Sequence, residues 1–205
     1  MPPSGLEFLP HFADLPALGI LELSSIARGV QVTDALVKRA PSTLLLSRPV
    51  SDGKHLVMLR GEVAAIEESM AAGREVAAEK LIDELELAYA HPQLWPLLRP
   101  SFEGVLRASR WEAEADAGSV AIVETTTVCA GVHAADAAAK VAEITLRDLR
   151  LAVGIGGKAF FTMTGELDDI EAAVEAATGI IDRSLLVGTE TIPAPHDDLK
   201  KRLLF

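Results

Sequence analysis

Five histidines, one cysteine, a glycine-rich run and runs of adjacent carboxylates such as Asp168-Asp169 and Asp197-Asp198 are the groups in this chain whose types could do chemistry. His11, His55, His91, His133 and His196 stand apart, and none forms an H-E-x-x-H or other close metal-binding pair. Cys129 is the only cysteine, which removes any zinc-finger spacing and any intrachain disulfide. Gly154-Ile155-Gly156-Gly157-Lys158-Ala159 fits G-x-G-x-x-A, a variant of the dinucleotide fingerprint. That motif works only where a helix follows, because its amides must face a pyrophosphate. The residues that follow here, AFFTMTG, are strand-like. A P-loop would need Gly at position 152 and Ser or Thr at 159, and both positions are Ala. There is no G-x-S-x-G elbow. Asp168-Asp169 and Asp197-Asp198 are expected to face solvent. No nucleophile, base and orienter come together, so no catalytic residue, metal ligand or cofactor is assigned.

The elements that would position such groups come in two copies. LGILELSSIARGVQVTDALVKRA (18–40) lies over VAIVETTTVCAGVHAADAAAKVA (120–142) without a gap. Glu22 falls on Glu124, Gly29 on Gly131, Asp34 on Asp136, Lys38 on Lys140 and Ala40 on Ala142. GKHLVMLRGEVAAIEESM (53–70) lies over GKAFFTMTGELDDIEAAV (157–174), with two extra residues in the second copy near 143–153. The tails LAYAHPQL (87–94) and IPAPHDDL (192–199) match more loosely and place His91 over His196. Cys129 falls opposite Ala27, which predicts a small packing position in a helix rather than a reactive thiol. The copies are assigned to 16–98 and 119–205, joined by a linker over 99–118 in which Phe102, Val105, Leu106 and Trp111 could pack locally.

Within each copy an apolar strand ends near Glu22 or Glu124. A Ser or Thr pair then offers a helix cap, and a helix runs to about Lys38 or Lys140. Two strands joined by a glycine-containing turn follow, STLLLSRP with HLVMLRG and TLRDLRLAV with AFFTMTG. A second helix starts at Glu62 or Glu166, acids suited to its positive end. Val63, Ile66 and Met70, like Leu167, Ile170 and Val174, mark its buried face. A last strand (84–88, 185–190) precedes the tail. The order β-α-β-β-α-β predicts an α/β (α+β) chain of two tandem ferredoxin-like domains.

The chain has 205 residues and 49% hydrophobic content, enough for two cores without disulfides. Its net charge of −11 repels phosphate backbones and anionic lipid, so neither nucleic acid nor a membrane surface is an expected partner. No apolar run approaches the ~18 residues of a bilayer span. The lack of early basic residues and the lone cysteine predict a cytoplasmic protein.

The ordered motifs resemble bacterial microcompartment shell (BMC) domains. The first copy carries Asp34-Ala-Leu-Val-Lys38-Arg-Ala40, Ser51-Asp52-Gly53 and Arg60-Gly-Glu-Val-Ala-Ala-Ile66. The second carries Asp136-Ala-Ala-Ala-Lys140-Val-Ala142, Ile155-Gly156-Gly157, Thr164-Gly-Glu-Leu167 and Ile192-Pro-Ala-Pro-His196. The motif order is the unpermuted one of single-layer tandem members. The resemblance implies a homotrimer in which each chain forms one third of a pseudohexameric ring. Such a ring tiles a shell facet beside hexameric and pentameric shell proteins, in a microcompartment of the cytoplasm. It further implies a central pore for small metabolites lined by Ser51, Asp52, Gly53, Ile155, Gly156 and Gly157, and a tile edge holding Lys38, Lys140, His91 and His196. The turns differ from the family's glycine-serine pattern at Asp52 and Gly156, and neither holds the cysteine by which some tandem members bind an iron–sulfur cluster. The competing expectation is a trimeric regulator that binds a small molecule between ferredoxin-like subunits.

Overall fold

The computed structural model describes residues 17–102 and 118–200. In the first copy, strand β1 (Ala17–Leu23), helix α1 (Ile26–Arg39), strands β2 (Thr43–Pro49) and β3 (His55–Gly61), helix α2 (Val63–Ala77) and strand β4 (Leu81–Leu87) follow in order. Helix α3 (Leu94–Phe102) comes next. The second copy repeats the series as β5 (Ser119–Thr125), α4 (Val128–Val141), β6 (Thr145–Leu151), β7 (Ala159–Gly165), α5 (Leu167–Ile180) and β8 (Leu186–Ile192), with a short helix α6 (Asp197–Lys200) in its tail. The sheets have orders β2-β3-β1-β4 and β6-β7-β5-β8, and every pairing is antiparallel. This is the ferredoxin-like arrangement expected from the sequence, twice.

The central strand of the first copy is apolar on both faces, and the packing shows why. Leu21 and Leu23 of β1 join Val57 and Leu59 of β3, Val32 and Leu36 of α1, and Ile66 and Met70 of α2 in a core beneath the copy's own helices. Leu18 and Ile20 point the other way, with Leu56, Met58, Leu85 and Leu87, into a core shared with Val128, Cys129 and Val132 of α4. The first sheet is therefore sandwiched between its own helices and the second copy. A sheet buried on both faces reads as a continuous hydrophobic run, which is what LGILEL shows.

Both first helices begin as the Ser and Thr pairs predict. Ser25 Oγ accepts from Arg28 N at 3.3 Å and Thr127 Oγ1 from Ala130 N at 3.2 Å. Two sequence readings are corrected in detail. The last strands run Leu81–Leu87 and Leu186–Ile192, so β4 starts earlier and β8 ends later than expected. β4 pairs with β1 along its length from Leu81, and the acids Asp83, Glu84 and Glu86 within it hide the strand from a hydrophobicity reading. Helix α3 enters the stretch read as linker and packs on β6 and α4 of the second copy. Val105, Leu106 and Trp111 lie outside the described residues.

Candidate functional site

The two glycine-containing turns lie against each other. Asp52 and Gly53 have φ of 65° and 68°, and Gly154, Gly156 and Gly157 have φ of 79°, 65° and 76°. This left-handed region suits glycine and is tolerated by Asp. Gly154 N donates to Ser51 Oγ at 3.0 Å, and Lys54 Nζ donates to Gly157 O at 3.3 Å. A Cβ at Gly157 would come within 3.2 Å of Ser51 O, so a side chain there would crowd the contact between the turns. Ser51, Asp52, Gly53, Ile155, Gly156 and Gly157 thus share one corner of the molecule, with Asp52, Gly53 and Gly156 exposed. Among the described residues Asp52 makes no side-chain hydrogen bond to its own turn. After Gly157 the chain enters β7, not a helix, which closes the dinucleotide reading of Gly154–Ala159.

Beside the turns sits a buried ionic junction that joins the copies. Glu22, fully buried at the end of β1, accepts from Lys54 Nζ at 2.7 Å through Oε1 and from Val128 N at 2.8 Å through Oε2. The second bond satisfies an open amide at the start of α4, where the helix dipole also favours a negative group. Burial pushes the Glu22 carboxyl above its ordinary value, while Lys54 and the Val128 amide pull it back down. Around this junction Thr127 Oγ1 donates to Asp83 Oδ2 at 2.5 Å and His91 N donates to Asp136 Oδ1 at 2.7 Å. Gln93 clamps the edge of β6, donating to Ile144 O at 2.9 Å and accepting from Leu146 N at 2.8 Å.

The residues expected at a tile edge are spread along the far ends of the first helices and the tails. Lys38 pairs with Asp34 at 2.7 Å and Lys140 with Asp136 at 2.6 Å, both at i, i+4. Lys38 and Asp34 are open to solvent, whereas Asp136 is buried and shared with His91. His196, the counterpart of His91, is exposed, and its Nδ1 accepts from Asp198 N at 3.2 Å.

The other candidate chemistry resolves into packing. Cys129 is buried against Ile20, and burial pushes its thiol well above the usual range, as its Ala-like position predicts. His55 is buried with Nε2 on Ser47 Oγ at 2.9 Å, and burial lowers its pKa. A Cβ at Gly29 would lie 2.2 Å from the His55 ring, so the helix passes directly over the imidazole. No group of three or more His, Cys, Asp or Glu able to hold a metal occurs among the described residues. No helix in the described residues is long and apolar enough to cross a membrane. Asp168, Asp197 and Asp198 are exposed and Asp169 partly so.

Sequence reasoning missed the junction as a contact between copies. Its signal was present: Glu22 with Lys54 recurs as Glu124 with Lys158, and the second pair is also formed, at 2.8 Å. Nothing in the sequence alone says that Val128, over 100 residues from Glu22, completes the first pair.

Two ferredoxin-like copies docked through a buried seam, with their turns brought to one corner, define a tandem-repeat α/β protein. Its sequence matches the BMC domain over residues 17–90 and again over 119–195, and the chain belongs to that family. It is 36% identical to the bacterial microcompartment shell protein PduT of Citrobacter freundii over 92% of this chain and 97% of that one. It superposes on the crystal structure of a microcompartment protein from Desulfitobacterium hafniense with a TM-score of 0.73 and 34% identity, covering 91% of this chain and 99% of the other. A fused, permuted hexameric shell protein from the RMM microcompartment shares the fold at TM-score 0.58 and 18% identity, over 79% of this chain and 81% of that one.

Proposed function

We propose that the chain is a structural tile of a bacterial microcompartment shell, assembling as a homotrimer of pseudohexameric shape with a central opening for small metabolites. One observation carries this reading: the molecule makes a contact between its copies whose two halves recur, unused, at its ends. Val128 and Val132 of α4 are fully buried against the first copy, whereas their counterparts Ile26 and Val30 on α1 are 42% and 60% exposed. On the sheet side Leu85 and Leu87 of β4 are buried in the seam, and their counterparts Glu190 and Ile192 on β8 lie open or half-open. Each chain thus offers α1 at one end and the β5–β8 face at the other. Such a head-to-tail contact generates rings when its rotation closes. Covering the exposed remainder of these two side chains is worth about half of the 1.5–3 kcal/mol that full burial of each would give.

In that ring the turns Ser51–Gly53 and Ile155–Gly157 line the axis, and Lys38, Lys140, His91 and His196 belong to the outer edge. The partners are further copies of this chain and other shell proteins, hexameric and pentameric, within the cytoplasm. The chain carries out no reaction of its own, and the copies span 16–98 and 119–205. The test has two parts. Light scattering on the purified chain should give 65.4 kDa, three times 21.8 kDa. Negative-stain microscopy after co-expression with a hexameric shell protein should show the trimer incorporated into sheets or closed shells. A discrete trimer that never co-assembles would favour the small-molecule regulator instead, and a stable monomer would sink both.

A further inference from the structure

We propose that Glu124, held by Lys158, is the residue through which one protomer grips the next: its carboxylate accepts the backbone N–H of Ile26 at the start of α1 in a second copy of this chain. The proposal rests on the head-to-tail trimer above and names the polar contact that closes it.

The template is the junction inside the chain. There Glu22 takes the Lys54 ammonium on one oxygen and the Val128 amide on the other, and Lys54 reaches on to Gly157 O. Every member of that junction has a counterpart. Glu124 stands at the position of Glu22, since β1 and β5 pair in the same register with β3 and β7. Lys158 replaces Lys54, Ile26 replaces Val128 as the first residue after a capping hydroxyl, and Gly53 replaces Gly157. Half of the second junction already exists, because Lys158 Nζ lies 2.8 Å from Glu124 Oε1. What it lacks is cover. Glu124 and Lys158 are 40% and 43% exposed, against 0% and 11% for Glu22 and Lys54. At the other end of the molecule Ile26 N is a first-turn amide, which has no acceptor inside its own helix.

The apolar surroundings agree independently with the polar ones. Ile26, Val30 and Val37 are exposed on α1, where Val128, Val132 and Ala139 are covered on α4. Docking a second copy as the first copy docks on α4 would bury those side chains and bring Glu124 Oε2 to Ile26 N in one movement. Lys158 would then reach Gly53 O as Lys54 reaches Gly157 O.

The seams are not equal, however. Asp83, which holds Thr127, has Gly188 as its counterpart, and Leu85 has Glu190. Gln93, which clamps β6 from both sides, has Asp198, which can accept but not donate. The seam between protomers therefore keeps the glutamate contact and loses its neighbours. Glu124 carries a larger share of that seam than Glu22 does of the internal one.

The experiment follows trimer dissociation of the full chain by sedimentation over a dilution series. Four proteins are compared with wild type: Glu124→Ala, Ile26→Pro, the double variant, and Glu175→Ala as an exposed charge control on α5. Proline is accepted at the first position of a helix and removes the amide in question together with the Ile26 side chain, for which Ile26→Val is the control, and Ser25 before it is already extended. Each single variant should raise the dissociation constant at least tenfold over Glu175→Ala, with circular dichroism unchanged. The double variant should be little worse than either single, because both remove the same bond. A wild-type trimer that Glu124→Ala leaves as tight as the control does, or single effects that simply multiply, would overturn the lock while leaving the trimer standing. A wild-type chain that is no trimer overturns the underlying reading as well. If Glu124→Ala fails to fold, Ile26→Pro against Ile26→Val decides the matter, since valine keeps the amide and an apolar side chain. Equal dissociation of those two would reject the contact.

Discussion

Asp52 and Gly156 occupy matching turns in the two copies, and only one of them carries charge. In the proposed ring of three chains that difference would place three carboxylates round the axis, alternating with three glycines. Asp52 is exposed, sits in a left-handed turn, and spends its side chain on no hydrogen bond within that turn. The capping role that Asp often plays in turns is therefore not what holds it here. At a separation of roughly 7 Å in water-like dielectric each pair of carboxylates repels by only about 0.6 kcal/mol, so the ring tolerates them. The expected consequence is a preference for cations and neutral polar solutes over anions. Shells loaded with a reporter enzyme should admit a cationic substrate faster than an anionic one, and Asp52→Ala should narrow that ratio. An unchanged ratio would remove Asp52 from the pore. The neighbouring chemistry was partly legible in sequence: Cys129 reads as packing because its counterpart is Ala27, and it packs. His55 was not legible, because the Gly29 that makes room for its ring is 26 residues away and reads as an ordinary helical glycine.

Helices α1 and α4 are the same element by sequence and different elements by environment. Capping, length and the Asp–Lys pair were readable because they are local, set by residues within a turn of one another. The difference between the helices was not, because it depends on which one the sheet of the other copy covers. The β4 and β8 strands show the same limit: their charged residues break the apolar pattern, and only pairing with β1 and β5 defines their extent. Thr127 and Ser25 turn this contrast into a measurement. Both cap their helices, but Thr127 also donates to the Asp83 carboxylate across the seam. Losing a cap costs about 1 kcal/mol. A hydrogen bond to a charged group adds about 1.5–3 kcal/mol. Thr127→Ala should therefore lower the urea unfolding free energy by about 2.5–4 kcal/mol, and Ser25→Ala by about 1 kcal/mol, at one fixed protein concentration. Equal losses would mean that the Asp83 contact contributes nothing to holding the copies together.

For the molecule as a whole, the repeat revealed the number of units, while the seam reveals how they are joined. In the proposed ring the C-terminal ends of α1 and α4, with Lys38 and Lys140, would lie on a common rim. An ordinary helical role for these lysines would also fit, since each already pairs with an aspartate four residues back. The exposed Lys38–Asp34 pair contributes little to folding, so that pairing leaves Lys38 free for another role. The two positions are not equivalent as test sites. Asp136 is buried and anchors His91, so an acid at 140 would sit beside a buried carboxylate and weaken the seam itself. Asp34 is open, and Lys38→Asp changes only the rim. That single variant should therefore keep the 65.4 kDa mass of three 21.8 kDa chains and its melting temperature, and fail to enter sheets with a hexameric partner. Like charges meeting across the contact between tiles would supply the block. Adding Lys140→Asp should deepen the assembly defect and also lower the melting temperature. If the folded Lys38→Asp trimer enters sheets as wild type does, Lys38 is a solvated helix residue and the rim contact must be sought elsewhere, with His196 and its exposed tail the next candidate.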